Sequence, residues 1–351
     1  MKAARFYDRK DVRIEDTAEP QTRAGTVKIA VAWCGICGTD LHEYLEGPIF
    51  ISAPGHPHPL SHESAPVTLG HEFSGTIQEV GDLVTGLAVG DNVVVEPYFV
   101  CGQCPPCKAG NYHLCEKMGF IGLAGGGGGL SEKVVVEQRW VHKIGSIPLD
   151  EAALIEPLSV GHHAVTRSGA KAGDMAIIGG AGPIGLLTAA ILKGIGVTTI
   201  VSEVSAARKD KARSSGVADY VLDPTTDDMV ARVQEITKGI GADVAFECAG
   251  VNAVLDMLLD TLRPAGVLVN VSIWGHPATV DMQKIVLKEI DLRGTIAYVR
   301  DHPATIALVQ SGTIDLKPFI TGRIALEDLI TQGFDTLINH NDTAVKILVH
   351  P

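Results

Sequence analysis

The sequence predicts an α/β protein in two parts, a β-rich domain and a doubly wound parallel sheet. Two observations predict it. Up to about residue 150, short apolar or alternating runs are punctuated by Gly, Pro and Asp. From Met175 the rhythm changes to apolar strands alternating with helical stretches. The length agrees, because 351 residues exceed one ordinary core and suggest about two domains.

In the first part, Val27-Lys28-Ile29-Ala30-Val31 and Thr76-Ile77-Gln78-Glu79-Val80 alternate as half-buried strands do. Asn92-Val93-Val94-Val95 and Lys133-Val134-Val135-Val136 are short strands of buried type. In the second part, Met175 to Gly179 leads into a helix with Ile184, Leu187, Ile191 and Ile195 as its apolar positions. Strands over 199–202, 218–221, 243–246, 267–271 and 291–296 follow, with helices between them, which implies a parallel sheet. A last β-type run, Val345 to Val349, reads as a strand returning to the first domain.

Composition narrows the function. The net charge is −12 and no long Lys/Arg run occurs, which argues against nucleic acid as a partner. No apolar run reaches the roughly 18 residues of a membrane helix. The N-terminus lacks the apolar stretch of a secretory signal, so a cytoplasmic location is expected.

The seven cysteines are informative by position. Cys101-x2-Cys104-x2-Cys107-x7-Cys115 places four thiols in one short lobe. Four sulfurs suit tetrahedral zinc and close its shell, so this site is expected to be structural. A second, dispersed set consists of Cys37 in Gly35-Ile36-Cys37-Gly38-Thr39-Asp40-Leu41-His42, His71-Glu72 after Gly70, and Glu156 in Glu156-Pro157-Leu158. One Cys, one His and a carboxylate leave a position open, as catalytic zinc requires. Spacing alone does not prove this set.

Gly180-Ala181-Gly182-Pro183-Ile184-Gly185 directly follows a strand and opens a helix, the context of a dinucleotide turn. Its glycines let the backbone approach a pyrophosphate, and the helix N-terminus supplies N–H donors. Glu203 lies 18 residues beyond Gly185, at the end of the second strand. A carboxylate there accepts from ribose hydroxyls and repels a 2′-phosphate, which favours NAD over NADP. Arg208 blurs the choice, since it can lie along the ribose or reach a phosphate.

Together and in this order, these motifs resemble the medium-chain zinc alcohol dehydrogenase superfamily over essentially the whole chain. Glu156-Pro157-Leu158-Ser159-Val160 is similar to its polyol branch, and Gly47-Pro48-Ile49-Phe50 with the long loop to His71 is similar to the enzymes of short vicinal diols. The resemblance implies a GroES-like catalytic domain over 1–155 and 300–351, with the zinc lobe at about 96–118. It implies an NAD-binding Rossmann domain over 156–299. It implies two zinc ions per chain. One is held by the four-Cys lobe; the other is catalytic, on Cys37 and His71 with Glu72 or Glu156 as third protein ligand. Thr39 and His42 match the family's proton-relay positions. The implied activity is NAD-linked hydride transfer between 2,3-butanediol and acetoin by a homo-dimer or homo-tetramer. Sorbitol-type polyols and L-threonine remain alternative substrates, and a redox-inactive zinc and nucleotide binder is the non-enzyme alternative.

The other features read as structural. The run Gly125 to Gly129 reads as a flexible turn rather than a phosphate cradle. His56, His58 and His62 read as solvated loop residues, Cys34 and Cys248 as small core residues, and His162-His163 as packing on a helix. Ile49, Phe50 and Ile51 form an apolar cluster placed to line a pocket entrance.

Overall fold

A computed structural model describes all residues, Met1–Pro351, which divide into two compact units. The first comprises Met1–Glu156, His302–Gly312 and Ile320–Pro351; the second comprises Pro157–Asp301 and Thr313–Phe319.

The first unit is built on the strand Thr26–Gly35. One of its edges pairs antiparallel with Glu72–Val80. The other edge is shared: residues 26–30 pair with Lys133–Glu137, and Cys34 and Gly35 pair with the tail strand Lys346–His350. The tail therefore does return to this sheet, with Leu348 and Val349 fully buried. Burying each such side chain stabilises by about 1.5–3 kcal/mol. Asn92–Val95 and Val141–Lys143 extend the sheet on one side and Ile320–Ala325 on the other.

The second unit carries six parallel strands: Met175–Gly179, Thr198–Ser202, Tyr220–Leu222, Ala242–Glu247, Leu262–Asn270 and Asp291–Gly294. Numbered in chain order, they lie 3-2-1-4-5-6. Ile177, Ile178, Ile200, Ala245 and Phe246 are fully buried, as near-continuous apolar strands covered on both faces require. The chain order reverses between Met175–Gly179 and Ala242–Glu247. A ligand crevice opens beyond the carboxyl ends of strands at such a switch point.

Several strands escape the pattern reading. Lys2–Asp8 and Asp11–Asp16 pair with each other but carry three and four charges, which break the apolar pattern and conceal them. Ile320–Ala325 interleaves single buried-side residues with exposed ones. The strand expected from Ala218 begins at Tyr220. No helix is long and apolar enough to cross a membrane.

Candidate active site and metal centres

The helix Gly38–Glu46 starts at Cys37, whose backbone is extended (φ −92°, ψ 154°). Three residues on, Asp40 accepts the Cys37 N–H at 2.9 Å, satisfying a donor at the helix start. This capping fixes the Cys37 thiol at the helix entrance, with Thr39 Oγ1 3.6 Å from Sγ. His42 lies further along the same helix and is exposed.

His71 follows Gly70, which has φ +96° and no room for a side chain: a Cβ there would lie 2.6 Å from Leu130 N and 2.8 Å from Cys34 Sγ. That turn carries the buried imidazole to Cys37. The donor atoms of Cys37, His71 and Glu72 all lie within 4.8 Å of one another. His71 Nδ1 is 3.7 Å from Asp40 Oδ1, and both atoms are buried without a hydrogen-bond partner. A metal-bound imidazole needs such a carboxylate behind its second nitrogen. Burial opposes protonation of His71, yet Cys37 and Asp40 outweigh it and raise its pKa well above the ordinary range. The pocket therefore favours positive charge at its centre, and a divalent cation meets that preference.

Glu72 is almost fully buried and is matched by Lys346, whose Nζ donates to its two carboxylate oxygens at 2.7 and 2.6 Å and to Ile36 O at 3.2 Å. The close fit also explains Gly35, where a Cβ would stand 2.2 Å from Glu72 Oε2. Glu156, buried in the first turn of helix Ile155–Ser168, is near enough to raise the pKa of both His71 and Lys346. It lies outside the tight three-residue set.

Cys101, Cys104, Cys107 and Cys115 form the second cluster, again with sulfurs within 4.8 Å of one another and no disulfide. Backbone N–H groups converge on the sulfurs: Gln103 and Cys104 donate to Cys101 Sγ at 3.4 Å, Lys117 to Cys115 Sγ at 3.4 Å, and Cys101 to Cys115 Sγ at 3.3 Å. The two N–H groups pull the Cys101 thiol down to about 6. Burial pushes Cys107 up to about 12. Four crowded thiols resist ionising together without a cation, and zinc resolves that conflict.

In the second unit, Gly180 has φ +102° and a Cβ on Gly185 would lie 2.0 Å from Gly180 O, so both glycines serve the turn itself. Gly182 is different. A Cβ there would meet nothing within 4 Å, which leaves the space a pyrophosphate would occupy. Helix Pro183–Gly194 opens at this point with no side-chain cap, and its free N–H donors suit an anion. Glu203 is buried, its Oε2 accepting from Ala181 N at 2.8 Å and its Oε1 from Val204 N and Ser205 N at 2.8 and 2.9 Å. The carboxylate thus braces the glycine turn. It has roughly four lone-pair sites, of which these bonds use three. Arg208 is half-buried on the following helix, Ala206–Ser214.

Some structural readings change. His58 is buried rather than solvated, its Nδ1 accepting from Leu60 N and Ser61 N at 3.3 and 3.4 Å, because the loop folds over it. His56 and His62 are exposed. The Gly125–Gly129 run is tightly packed: a Cβ on Gly126 would be 2.4 Å from Phe99 Cζ, and one on Gly128 would be 2.2 Å from Leu69 O. Cys34 is fully buried, as a core residue; Cys248 is half-buried at a strand end. His163 is held by Asp301, Nδ1 to Oδ2 at 3.0 Å. Asp40, which lies within the Cys37 motif but carries no role there, and Lys346, which lies outside every motif, complete the site. Lys346 left a trace, a lone cation inside the apolar run Val345 to Val349.

With one open Cys/His/carboxylate centre, one closed four-thiolate centre and a dinucleotide turn, the chain belongs to the zinc-binding alcohol dehydrogenase family. Residues 23–146 match the alcohol dehydrogenase GroES-like domain, and residues 183–311 match the zinc-binding dehydrogenase domain. Over 352 residues the chain is 62% identical to the (R,R)-butanediol dehydrogenase of Neisseria gonorrhoeae, covering 100% of this chain and 99% of that one. It is 48% identical to the (R,R)-butanediol dehydrogenase of Bacillus subtilis, with full coverage of both. The crystal structure of 2R,3R-butanediol dehydrogenase from Bacillus subtilis superposes with a TM-score of 0.93 at 46% identity, covering 100% of this chain and 99% of that one.

Proposed function

We propose that this protein is a cytoplasmic, NAD(H)-linked, zinc-dependent dehydrogenase that interconverts (R,R)-2,3-butanediol and acetoin. The full-length 62% identity to a butanediol dehydrogenase carries the substrate assignment. Free thiols throughout the Cys101–Cys115 lobe fit a reducing compartment.

Cys37 and His71 are the protein ligands of the catalytic zinc, with Glu156 or Glu72 as the third. The pairing of Glu72 with Lys346 favours Glu156, because Glu72 already has its counter-charge. Bound zinc supplies a Lewis acid that lowers the pKa of the substrate hydroxyl toward neutrality. The residues do the rest. Asp40 orients the His71 ring. The Thr39 hydroxyl, beside Cys37 Sγ, would take the substrate proton while giving up its own toward the ribose of a bound cofactor, and exposed His42 on the same helix would be the group that hands a proton to solvent. Ile49 and Phe50, about half exposed, offer apolar surface to a methyl-capped diol. Each methylene buried there contributes roughly 0.8 kcal/mol, whereas a hexitol hydroxyl would be left without a partner.

The test is kcat/KM for 2,3-butanediol stereoisomers against sorbitol and threonine, with NAD. The (R,R) isomer is expected to lead. A preference for sorbitol or threonine of about tenfold or more, roughly 1.4 kcal/mol of discrimination, overturns the substrate assignment.

Coenzyme choice rests on Glu203, with Gly180, Gly182, Pro183, Ile184 and Gly185 forming the pyrophosphate turn and Arg208 beside the ribose. Glu203→Ala is expected to weaken NAD binding and narrow the NAD/NADP ratio of kcat/KM. Its bond to Ala181 N implies that the turn loosens too, so NADP affinity should rise less than NAD affinity falls. Wild-type efficiency equal or better with NADP would refute the assignment.

The enzyme is a homo-oligomer, dimer or tetramer. The second-unit sheet ends in the open edge strand Asp291–Gly294, and Val286, Leu287 and Leu292 beside it are 66%, 82% and 45% exposed. An open edge flanked by apolar side chains invites a second copy. Light scattering should give at least twice the chain mass; a monomer at micromolar concentration would remove this reading.

A further inference from the structure

Glu43 is fully buried on helix Gly38–Glu46, one turn beyond Asp40 on the same inward face. It forms no ion pair in the structure. Its carboxylate instead accepts three consecutive backbone N–H groups of the loop after the helix: Ile49 at 2.9 Å, Phe50, and Ile51 at 3.2 Å. Amides pointing together in this way make a nest for an anion. In a helix, a side chain lies over the turn N-terminal to its own Cα. The carboxylate of Glu43 therefore draws the loop back along the helix, toward the end that carries Thr39 and Cys37. Gly47 makes the fold-back possible, since a Cβ there would lie 2.4 Å from Glu43 O and 2.5 Å from Glu43 Oε2. The result is a loop whose Ile51 is buried and locked while Ile49 and Phe50 remain exposed at its tip.

We propose that Glu43 is a positioning residue for substrate selection: its carboxylate sets the backbone of residues 49–51 and so fixes where Ile49 and Phe50 meet the carbon chain of the alcohol. The inference rests on the placement of Ile49 and Phe50 beside the substrate given above. A neutral amide cannot replace the anion, because a Gln side chain presents one acceptor oxygen and turns N–H donors toward N–H donors.

The experiment compares Glu43→Gln and Gly47→Ala, two independent ways of disturbing the nest, by kcat/KM on 2,3-butanediol, 1,2-propanediol, glycerol and sorbitol. Zinc content and NADH binding report whether the centres remain intact. Both variants are expected to narrow the ratio of the best to the worst substrate by about tenfold, chiefly through KM. The decisive readout is coupling. In an Ile49→Ala, Phe50→Ala background, Glu43→Gln should change the ratio by less than twofold, because both side chains it positions are gone. A ratio unchanged in both variants overturns the proposal. So does an equal effect with and without the Ile49 and Phe50 side chains, which would make Glu43 a general support of the fold. The test reads a change in selectivity, so it stands apart from the identity of the wild-type enzyme's best substrate, which the stereoisomer panel decides separately.

Discussion

Cys37→Ser is expected to abolish turnover while the protein stays folded and keeps one of its two zinc ions. The Cys37 thiol sits at a capped helix entrance and its N–H is satisfied by Asp40 through the backbone, so the substitution leaves the cap in place. On the ligation proposed above it removes a ligand of the catalytic cation, and metal polarisation is worth several kcal/mol of transition-state stabilisation. At about 1.4 kcal/mol per tenfold, kcat/KM should fall on the order of 10³-fold or more. Cys104→Ser should fail differently. Its sulfur belongs to the four-thiol cluster, where metal binding would contribute folding free energy directly. Loss of its zinc should lower the melting temperature and impair assembly before it touches chemistry. Zinc analysis, circular-dichroism melting and initial rates on both variants decide it. A Cys104→Ser enzyme with full activity and wild-type melting would end the division into catalytic and structural sites.

Lys346→Met should be among the most destabilising single substitutions outside the zinc lobe. Both Lys346 and Glu72 are nearly fully buried, at 4% and 1% exposure, and each oxygen of the carboxylate is bonded to the ammonium. Removing one partner of a buried pair leaves an uncompensated charge and costs about 3–5 kcal/mol. Replacing both by neutral groups of similar volume is often close to neutral. Glu72→Gln combined with Lys346→Met should therefore recover most of the lost stability. Urea unfolding of the singles and the double forms the cycle. A Lys346→Met protein as stable as wild type, or a double variant no better than the single, would show that the pair carries no such energy. The same cycle bears on zinc ligation: if Glu72 is a counter-ion rather than a ligand, the double variant should retain the catalytic zinc.

Motifs whose residues sit close together in the chain were legible without coordinates. The four-Cys lobe and the glycine turn each lie within one local segment, so their chemistry follows from spacing. The central parallel strands were legible because strands covered on both faces are apolar along most of their length, as the buried Met175–Gly179, Thr198–Ser202 and Ala242–Glu247 are. Strands Lys2–Asp8 and Asp11–Asp16 were not, because Asp11–Asp16 buries no side chain and the charges of Lys2–Asp8 interrupt the apolar signal of its buried Ala3, Ala4 and Phe6. His58 was misread for a related reason, and the five-glycine turn is more closely packed than its composition suggests. Loop composition suggests solvent, while burial of a loop depends on what folds over it, here the contacts of Gly126 with Phe99 and Gly128 with Leu69.

By itself the sequence determined the two-part architecture, the closed thiolate centre, the dinucleotide turn and the family. The first three depend on local periodicity or short spacing, which the chain carries wherever it folds, and the family follows from the resemblance that the motifs carry together. Only the tertiary structure decided how charge is balanced at the open centre. Lys346 neutralises Glu72 from 274 positions away, and Asp40 stands behind His71 from another strand connection. Glu43 turns a backbone loop into a fixed edge of the site. Such partners are chosen by proximity in space, where a buried charge must find its counter-charge or donor at whatever sequence distance the fold supplies one.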